Sequence, residues 1–150
     1  MKVAIIGAGN MGGSIACGLA KGKLISASDI IVSNPSAGKL EALKKEFPSI
    51  TTTRNNAEAA IGADIVILTV KPWLIRSVLR EMKLKSKQIL VSVAAGISFE
   101  QLAHDVVEPE MPMFRIVPNT AISSLQAMRL IASRKAGHDR EPLMDKRVRS

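Results

Sequence analysis

The sequence predicts an α/β domain of the doubly wound type, with a mostly parallel sheet. Short apolar runs that suit buried strands alternate with segments whose apolar residues recur at helical spacing. The first of these runs, Val3–Ile6, leads directly into a glycine-rich turn. Because alternating strands and helices connect by right-handed crossovers, we expect parallel strands with helices on both faces.

The glycine-rich turn has the pattern Gly-x-Gly-x-x-Gly, at Gly7, Gly9 and Gly12. Directly behind a strand and before a helix, this pattern is typical of Rossmann-type dinucleotide-binding domains. Gly7 permits the tight turn, Gly9 lets a pyrophosphate approach the backbone, and Gly12 lets the helix pack close to the strand. A glycine-rich turn that binds nothing is the alternative, and the strand immediately before it favours the nucleotide.

The first half of the chain alternates strands and helices after this turn. In chain order we predict a helix over 10–21, a strand over 30–32, a helix over 39–47, a strand over 51–53 and a short helix ending near 61. Gly22 and Pro48 follow the two longer helices, as residues that end helices often do. The threonines of Thr51–Thr53 predict a polar strand near an edge of the sheet, and Asn55 or Asn56 can cap the short helix.

The second half continues the alternation. Here the pattern predicts strands over 65–70, 89–94 and 113–117, a helix that begins at Pro72, and a helix over 99–107. Ser98 and Gln101 have the spacing of a capping box for the last helix, and Pro118 ends the sixth strand. The predicted buried stripe of the helix after Pro72 consists of Leu74, Ile75, Val78, Leu79 and Met82.

Small or polar residues follow the predicted strand ends. Ligands of parallel sheets lie at the carboxyl ends of the strands. The residues selected by this rule are Gly7–Gly9, Ser33–Asn34, Val70–Pro72, Ala94–Gly96 and Pro118–Thr120.

The end of the second strand bears on the choice of cofactor. An NAD site usually has an acidic residue there for the ribose 2′-hydroxyl, but this chain has Ser33 and Asn34, and Asp29 lies at the other end of the strand. These neutral groups, with Lys39 in the next helix, tolerate a 2′-phosphate. The pattern therefore favours NADP(H), although no arginine in this stretch settles the choice. The alternative is that Ser33 and Asn34 only form the turn.

Composition limits the class of protein. The 150 residues suit a single domain, no apolar run approaches the ~20 residues of a membrane span, and the one cysteine suits a reducing cytoplasm. The net charge is +8, but residues 129–150 alone carry seven Lys/Arg and three Asp/Glu. With no Tyr, three Phe and one Trp, the chain lacks the aromatic platforms that stack nucleic-acid bases. We expect a cytoplasmic protein that binds neither nucleic acid nor membrane.

Over about residues 1–133, the chain resembles the N-terminal NADP(H)-binding domain of the pyrroline-5-carboxylate reductase family. The matching segments are Ile6–Met11, Asn56, Ala63–Asp64, Val70–Pro72, Ser92–Ile97 and Arg115–Thr120, in the family's order. Val-Lys-Pro, Ala-Ala-Gly and Pro-Asn-Thr in series are far more specific than the glycine motif alone.

The resemblance implies an enzyme of proline biosynthesis that reduces 1-pyrroline-5-carboxylate to L-proline with NADPH, with NADH as the other cofactor. It places Asn119 and Thr120 nearest the reacting ring as candidate catalytic residues. The candidate cofactor-binding residues are Ile6, Gly7, Ala8, Gly9, Asn10, Met11, Ser33, Asn34, Ser36, Asn56, Val70, Lys71, Pro72, Ala94, Ala95 and Gly96. The resemblance also implies a homo-oligomer.

The chain departs from the family pattern towards its C-terminus. Ala121 stands where the family often has a second proline, and Gly137–Ser150 is short, basic and without helical periodicity. The family continues into a helical domain that supplies most of the substrate site and the dimer interface. We therefore predict a dinucleotide-binding domain over 1–133 and a basic tail over 134–150, disordered or the remnant of a truncated second domain. If that domain normally covers the sixth strand and Leu125–Ile131, exposed apolar surface there favours self-association.

The remaining candidates have structural interpretations. Cys17 is expected to pack in the core, and His104 and His138 show no spacing typical of a metal site, so no metal is expected. Lys71 is interpreted as a cation beside an anionic cofactor, and Trp73 as packing on the sheet or shielding the cofactor. The alternatives in function are another NADP(H)-dependent imine or β-hydroxyacid reductase, and a non-catalytic cofactor-binding fragment.

Overall fold

The fold is described by a computed structural model over residues 1–93, 97–106, 111–118, 128–135 and 138–140. The strands are β1 (Val3–Ile6), β2 (Ile30–Ser33), β3 (Thr51–Thr53), β4 (Ile65–Leu68), β5 (Ile89–Ser92), β6 (Met113–Pro118), β7 (Met128–Lys135) and β8 (His138–Arg140). They form one sheet in the order β3-β2-β1-β4-β5-β6-β7-β8. The predicted doubly wound, mostly parallel sheet is confirmed.

Within the described ranges, five α-helices connect or follow these strands. They are α1 (Asn10–Lys21), α2 (Ala37–Glu46), α3 (Asn56–Ala60), α4 (Ile75–Met82) and α5 (Phe99–Asp105), with 3-10 turns at Ala27–Asp29 and Pro72–Leu74. The predicted bounds of α1 are confirmed, and so is the capping box of Ser98 and Gln101 at α5. Of the two candidate caps for α3, Asn55 is the one used, because its side chain accepts the backbone N–H of Glu58 at 2.9 Å.

Strands β1 to β6 are all parallel to one another. The chain builds outward from β1 through β2 to β3, and then returns to add β4 on the other side of β1. The carboxyl ends of β1 and β4 therefore flank the point where the strand order reverses. Open α/β sheets bind their ligands at this place.

Alternate residues of the central strands enter two separate cores. Val3 and Ile5 of β1 pack with residues of α1 and α2, whereas Ala4 and Ile6 pack with residues of α3, α4 and α5. Both faces of β1 are thus covered, which explains why its four residues are all apolar and buried. The position of β3 at the edge of the sheet, expected from its threonines, is also confirmed.

The segment after β4 differs from the prediction. Strand β4 ends at Leu68, two residues earlier than expected, and Pro72 opens a 3-10 turn before α4 begins at Ile75. Because Leu74 lies in that turn, its side chain is 42% exposed and does not belong to the buried stripe. Trp73 in the same turn is 76% exposed, so the prediction that it packs on the sheet is wrong.

The sheet continues past β6 with two antiparallel strands. Strand β7 pairs along β6, and β8 pairs with β7. The sixth strand is therefore not an open edge, contrary to the expectation that it would present exposed surface. The proposed boundary between residues 133 and 134 falls inside β7, and β8 lies within the segment predicted as a tail. Residues 125–127 and 141–150 lie outside the described residues.

In the part of the chain that the structure describes, no helix has the length and apolarity required to cross a bilayer.

Candidate cofactor-binding site

The glycine-rich turn connects β1 to α1 at the carboxyl edge of the sheet. Gly7 has a φ of +108°, a backbone conformation that side chains rarely adopt, and its N–H donates to the Ser33 carbonyl at 2.8 Å. This bond ties the start of the turn to the end of β2. Gly9 then occupies the N-cap of α1, and its carbonyl accepts the N–H of Gly13 at 2.8 Å.

The space around Gly9 differs from that around its two partners in the motif. A Cβ atom on Gly12 would lie 1.8 Å from the Gly7 carbonyl oxygen, and one on Gly7 would lie 2.8 Å from Thr69 Oγ1. A Cβ on Gly9 would have no heavy atom of the described residues within 4 Å. The fold therefore requires Gly7 and Gly12, whereas Gly9 leaves open space that a ligand can fill.

The open space lies in front of the first turn of α1. The backbone N–H groups of a first helical turn have no partner within their own helix, and they carry the positive end of its dipole. Asn10 is exposed and Met11 is half-buried at this position, whereas Ile6 and Ala8 are buried. The arrangement fits the pyrophosphate of a dinucleotide, which is bound in this way by other Rossmann-type domains.

Thr69, directly after β4, holds the glycine-rich turn by hydrogen bonds from the β4 side of β1. Its hydroxyl is within hydrogen-bond reach of two carbonyl oxygens, those of Ile6 at 2.8 Å and Gly7 at 2.9 Å. Its N–H donates to the Ile6 carbonyl at 3.0 Å. These bonds join the carboxyl ends of β1 and β4 at the switch point, so Thr69 positions the backbone of the glycine turn.

Asn34, directly after β2, bonds to the turn itself. Its Oδ1 accepts the N–H of Ala8 at 2.9 Å, and its Nδ2 donates to the Ser36 carbonyl at 3.2 Å. The residue is buried. The amide therefore holds the glycine turn against the loop between β2 and α2, which brings the predicted pyrophosphate and adenosine regions together.

Ser33 and Asn56 form a second polar link behind the end of β2. The Ser33 hydroxyl donates to Asn56 Oδ1 at 2.7 Å, and Asn56 Nδ2 donates to Glu81 Oε2 at 3.4 Å. Ser33 is completely buried and Asn56 is half-buried. Ser33 therefore supports Asn56, and its hydroxyl is not directed to an open surface.

The structure brings an arginine to the loop after β2. Arg54 follows β3, and its Nε donates to the Pro35 carbonyl at 3.0 Å. Ser36 and Lys39 are exposed at the start of α2, and its first turn contains no acidic residue. The end of β2 thus faces a cationic environment that the local sequence only partly indicates.

The predicted nicotinamide side of the site is described in part. Val70 is half-buried, and Lys71 and Pro72 are exposed just beyond β4. On the neighbouring strand β5, Ser92 pairs in register with Leu68, and its buried hydroxyl has no hydrogen-bond partner among the described residues. Ala94, Ala95, Gly96, Asn119 and Thr120, all predicted as site residues, lie outside the described residues.

Three further residues were absent from the sequence prediction of this site. They are Thr69, Arg54 and Glu81. Their contacts lie 63, 19 and 25 residues away in the chain, so no local pattern indicates them. The only signal in the sequence was that Arg54 directly follows a predicted strand, whereas Thr69 was predicted to lie within one.

Together, the switch-point sheet, the open face at Gly9 and the helix terminus behind it are the features of a Rossmann-type dinucleotide-binding domain. Residues 2–96 match the family model described as "NADP oxidoreductase coenzyme F420-dependent". Because the match spans more than half of the chain, the protein belongs to this family.

Similar proteins are pyrroline-5-carboxylate reductases. The chain is 38% identical over 121 residues to the reductase of Pseudomonas aeruginosa, a match that covers 79% of this chain and 43% of that protein. The structure of the Coxiella burnetii enzyme has a TM-score of 0.75 and 32% identity, covering 86% of this chain and 47% of that one. The Plasmodium falciparum enzyme, solved with NADP bound, has a TM-score of 0.74 and 27% identity, covering 90% and 48%.

The resemblance to pyrroline-5-carboxylate reductases is thereby confirmed. The chain spans about half the length of these relatives.

Proposed function

We propose that this chain binds NADPH and supplies the cofactor-binding half of a pyrroline-5-carboxylate reductase, which forms L-proline. The open space at Gly9, between two glycines that the fold requires, is the observation that carries the proposal. A turn with only a structural role would need Gly7 and Gly12 but could accept a side chain at residue 9. The names of the relatives support the choice of substrate.

Each part of the site has a role in this proposal. The N–H groups at the start of α1 bind the pyrophosphate, and Asn34 holds the turn that presents them. The end of β2, with Ser36 and Asn56, lies by the adenosine ribose. Val70–Pro72 and residues 94–96 border the nicotinamide.

The reaction needs no nucleophile from the protein. When bound, NADPH supplies a hydride to the imine carbon of 1-pyrroline-5-carboxylate, and a proton adds to the ring nitrogen to give L-proline. The work of this chain is to bind and orient. Lys71 is an exposed cation near the cofactor, and Asn119 and Thr120 are proposed to lie nearest the reacting ring.

The proposal extends to the assembly and the compartment of the protein. Trp73 and Leu74 expose apolar surface beside the site, which supports a homo-oligomer. The single cysteine supports a reducing compartment, and we place the protein in the cytoplasm.

A turnover assay tests the substrate. The purified chain is mixed with NADPH and 1-pyrroline-5-carboxylate, and loss of NADPH absorbance is compared with L-proline measured by chromatography. Equal amounts of NADPH consumed and proline formed are expected of the active enzyme. The Gly9→Ala variant serves as the control with weakened cofactor binding, and its rate at a limiting NADPH concentration should be lower.

Other results of the same assay contradict the proposed activity. Consumption of NADPH with a different cyclic imine or a β-keto acid, but not with 1-pyrroline-5-carboxylate, would identify a different reductase. Binding of NADPH without turnover of any of these compounds would limit the chain to a cofactor-binding role.

A further inference from the structure

Arg54 extends from the end of β3 to the loop that follows β2. Its Nε donates to the Pro35 carbonyl at 3.0 Å, and the side chain is exposed. A guanidinium group has five N–H donors, so this single bond leaves its terminal nitrogens available. Among the described residues, Arg54 has no carboxylate partner.

The backbone on both sides of Arg54 is held in place. The Thr53 carbonyl accepts the N–H of Asn34 at 3.2 Å, which joins the end of β3 to the end of β2. On the other side, Asn55 caps α3, and its N–H donates to Thr53 Oγ1 at 3.1 Å. Arg54 therefore projects from a fixed position beside the loop.

The loop beside Arg54 is the place where the adenosine ribose binds in dinucleotide-binding domains. The end of the second strand reads the ribose 2′-position: an acidic residue there favours the hydroxyl of NAD, and a nearby arginine favours the phosphate of NADP. In this chain Asn34 stands at that point and is buried, with both of its amide atoms engaged. Asn34 therefore has no free amide atom for the 2′-phosphate, and Arg54 is the arginine that the fold brings to this loop.

We propose that Arg54 binds the 2′-phosphate of NADPH and is the residue by which this chain distinguishes NADPH from NADH. The inference rests on the proposed cofactor site. The bond from Nε to the Pro35 carbonyl restrains the guanidinium plane, and its terminal N–H groups form a fork suited to phosphate oxygens. Lys39 adds positive charge nearby, and the carboxylate of Glu81 is engaged with Asn56.

A purely structural role for Arg54 predicts a different result. If the side chain served only to hold the Pro35 carbonyl, its loss would loosen the loop and lower the affinity for NADPH and for NADH to the same degree. The ratio of the two affinities therefore separates recognition from support. The affinity for NADPH alone does not distinguish these two roles.

The test compares Arg54→Met, Arg54→Lys and the wild-type chain. Dissociation constants are measured for NADPH and NADH by fluorescence, and for adenosine 2′,5′-bisphosphate and AMP by calorimetry. Lys87→Met is the matched control, since it removes one exposed positive charge at the amino end of β5, whereas the cofactor site lies at the carboxyl ends of the strands.

In Arg54→Met we expect affinity for NADPH and for the bisphosphate to fall roughly tenfold, the loss of one charge-assisted contact, with NADH and AMP changed less than about twofold. Arg54→Lys should recover part of the loss, and Lys87→Met should leave the NADPH-to-NADH ratio unchanged. A ratio that stays constant in Arg54→Met, or a wild-type chain that prefers NADH, would overturn the assignment of Arg54. Failure of the wild-type chain to bind either dinucleotide would overturn the proposed cofactor site as well.

Discussion

Gly9 and Gly12 differ in what surrounds the position of an added Cβ atom. At Gly12 that atom would meet the Gly7 carbonyl at 1.8 Å, and neither of the two backbones can move away without disturbing β1 or α1. At Gly9 the space is open on the protein side, so any limit on side-chain size comes from the ligand. Stability and binding should therefore separate in substitutions of the same motif.

Alanine at each glycine tests this separation. Gly12→Ala should lower the free energy of unfolding by roughly 3 kcal/mol or more, because backbone atoms must shift. Gly9→Ala should cost less than about 1 kcal/mol, the scale of an unfavourable N-cap, yet weaken NADPH binding at least about tenfold. Denaturant unfolding and cofactor titration measure the two effects. Gly13→Ala is the folding control, since an added Cβ there would make only an ordinary contact, 3.9 Å from the Ala8 carbonyl oxygen.

The Gly9 prediction fails if Gly9→Ala binds NADPH as well as the wild-type chain does.

Asn34 connects the glycine turn to the loop after β2 through both atoms of its amide. We expect Asn34→Ala to destabilise the fold by about 1–3 kcal/mol, because the buried N–H of Ala8 loses its acceptor. The turn would lose its support, so affinity for NADPH and NADH should fall together, unlike the selective loss expected for Arg54. Thermal unfolding and the two titrations check this. A selective loss of NADPH in Asn34→Ala would show that the amide itself reads the 2′-phosphate.

At the scale of elements, helices α1 and α2 meet beside Cys17. The residue is half-buried and packs against the core between these helices and the sheet, as the sequence suggested, and its thiol lies 3.9 Å from Glu46 Oε2. Burial raises the pKa of the Cys17 thiol, and the Glu46 carboxylate raises it further, against a smaller opposing effect of Lys21.

Because of the raised pKa, the Cys17 thiol should react slowly with alkylating reagents at neutral pH. Since the thiolate is the reactive form, alkylation by iodoacetamide should be slow at pH 7 to 8 and accelerate only above the ordinary thiol pKa. Glu46→Gln removes the negative charge, which lowers the thiol pKa and speeds alkylation at pH 8. Mass spectrometry of timed samples follows the reaction. An unchanged rate in Glu46→Gln would mean that burial alone sets the reactivity.

Local sequence signals predicted the helix ends whose capping residues lie within a few positions of each other in the chain. The start of α5 follows from Ser98 and Gln101, three residues apart, and the bounds of α1 follow from its apolar spacing and Gly22. Gln88 shows the limit of such signals. It is buried before β5, where its Nε2 donates to the Ala60 and Ala63 carbonyls at 2.7 and 2.8 Å. Because these partners lie 25 and 28 residues from Gln88 in the chain, the sequence around Gln88 does not indicate that it is buried.

At the scale of the whole molecule, the mostly parallel sheet could be predicted because a βαβ pattern permits few arrangements, although the order of the strands was not predicted. The pattern also predicted which strand ends would meet, and therefore most of the backbone of the site. It did not predict the side chains that cross between loops, since Arg54 reaches Pro35 and Thr69 reaches Gly7 only after folding. Strands β7 and β8 were not expected either, because the prediction ended the domain on compositional grounds.

The most direct test of the account is a fluorescence titration of the wild-type chain with NADPH and, in parallel, with NADH. The account predicts saturable binding with one cofactor per chain, tighter for NADPH because the end of β2 carries no carboxylate and faces Arg54. Saturable binding that is tighter for NADH would contradict the cofactor assignment. No saturable binding of either dinucleotide would contradict the central claim that the open space at Gly9 is a cofactor site.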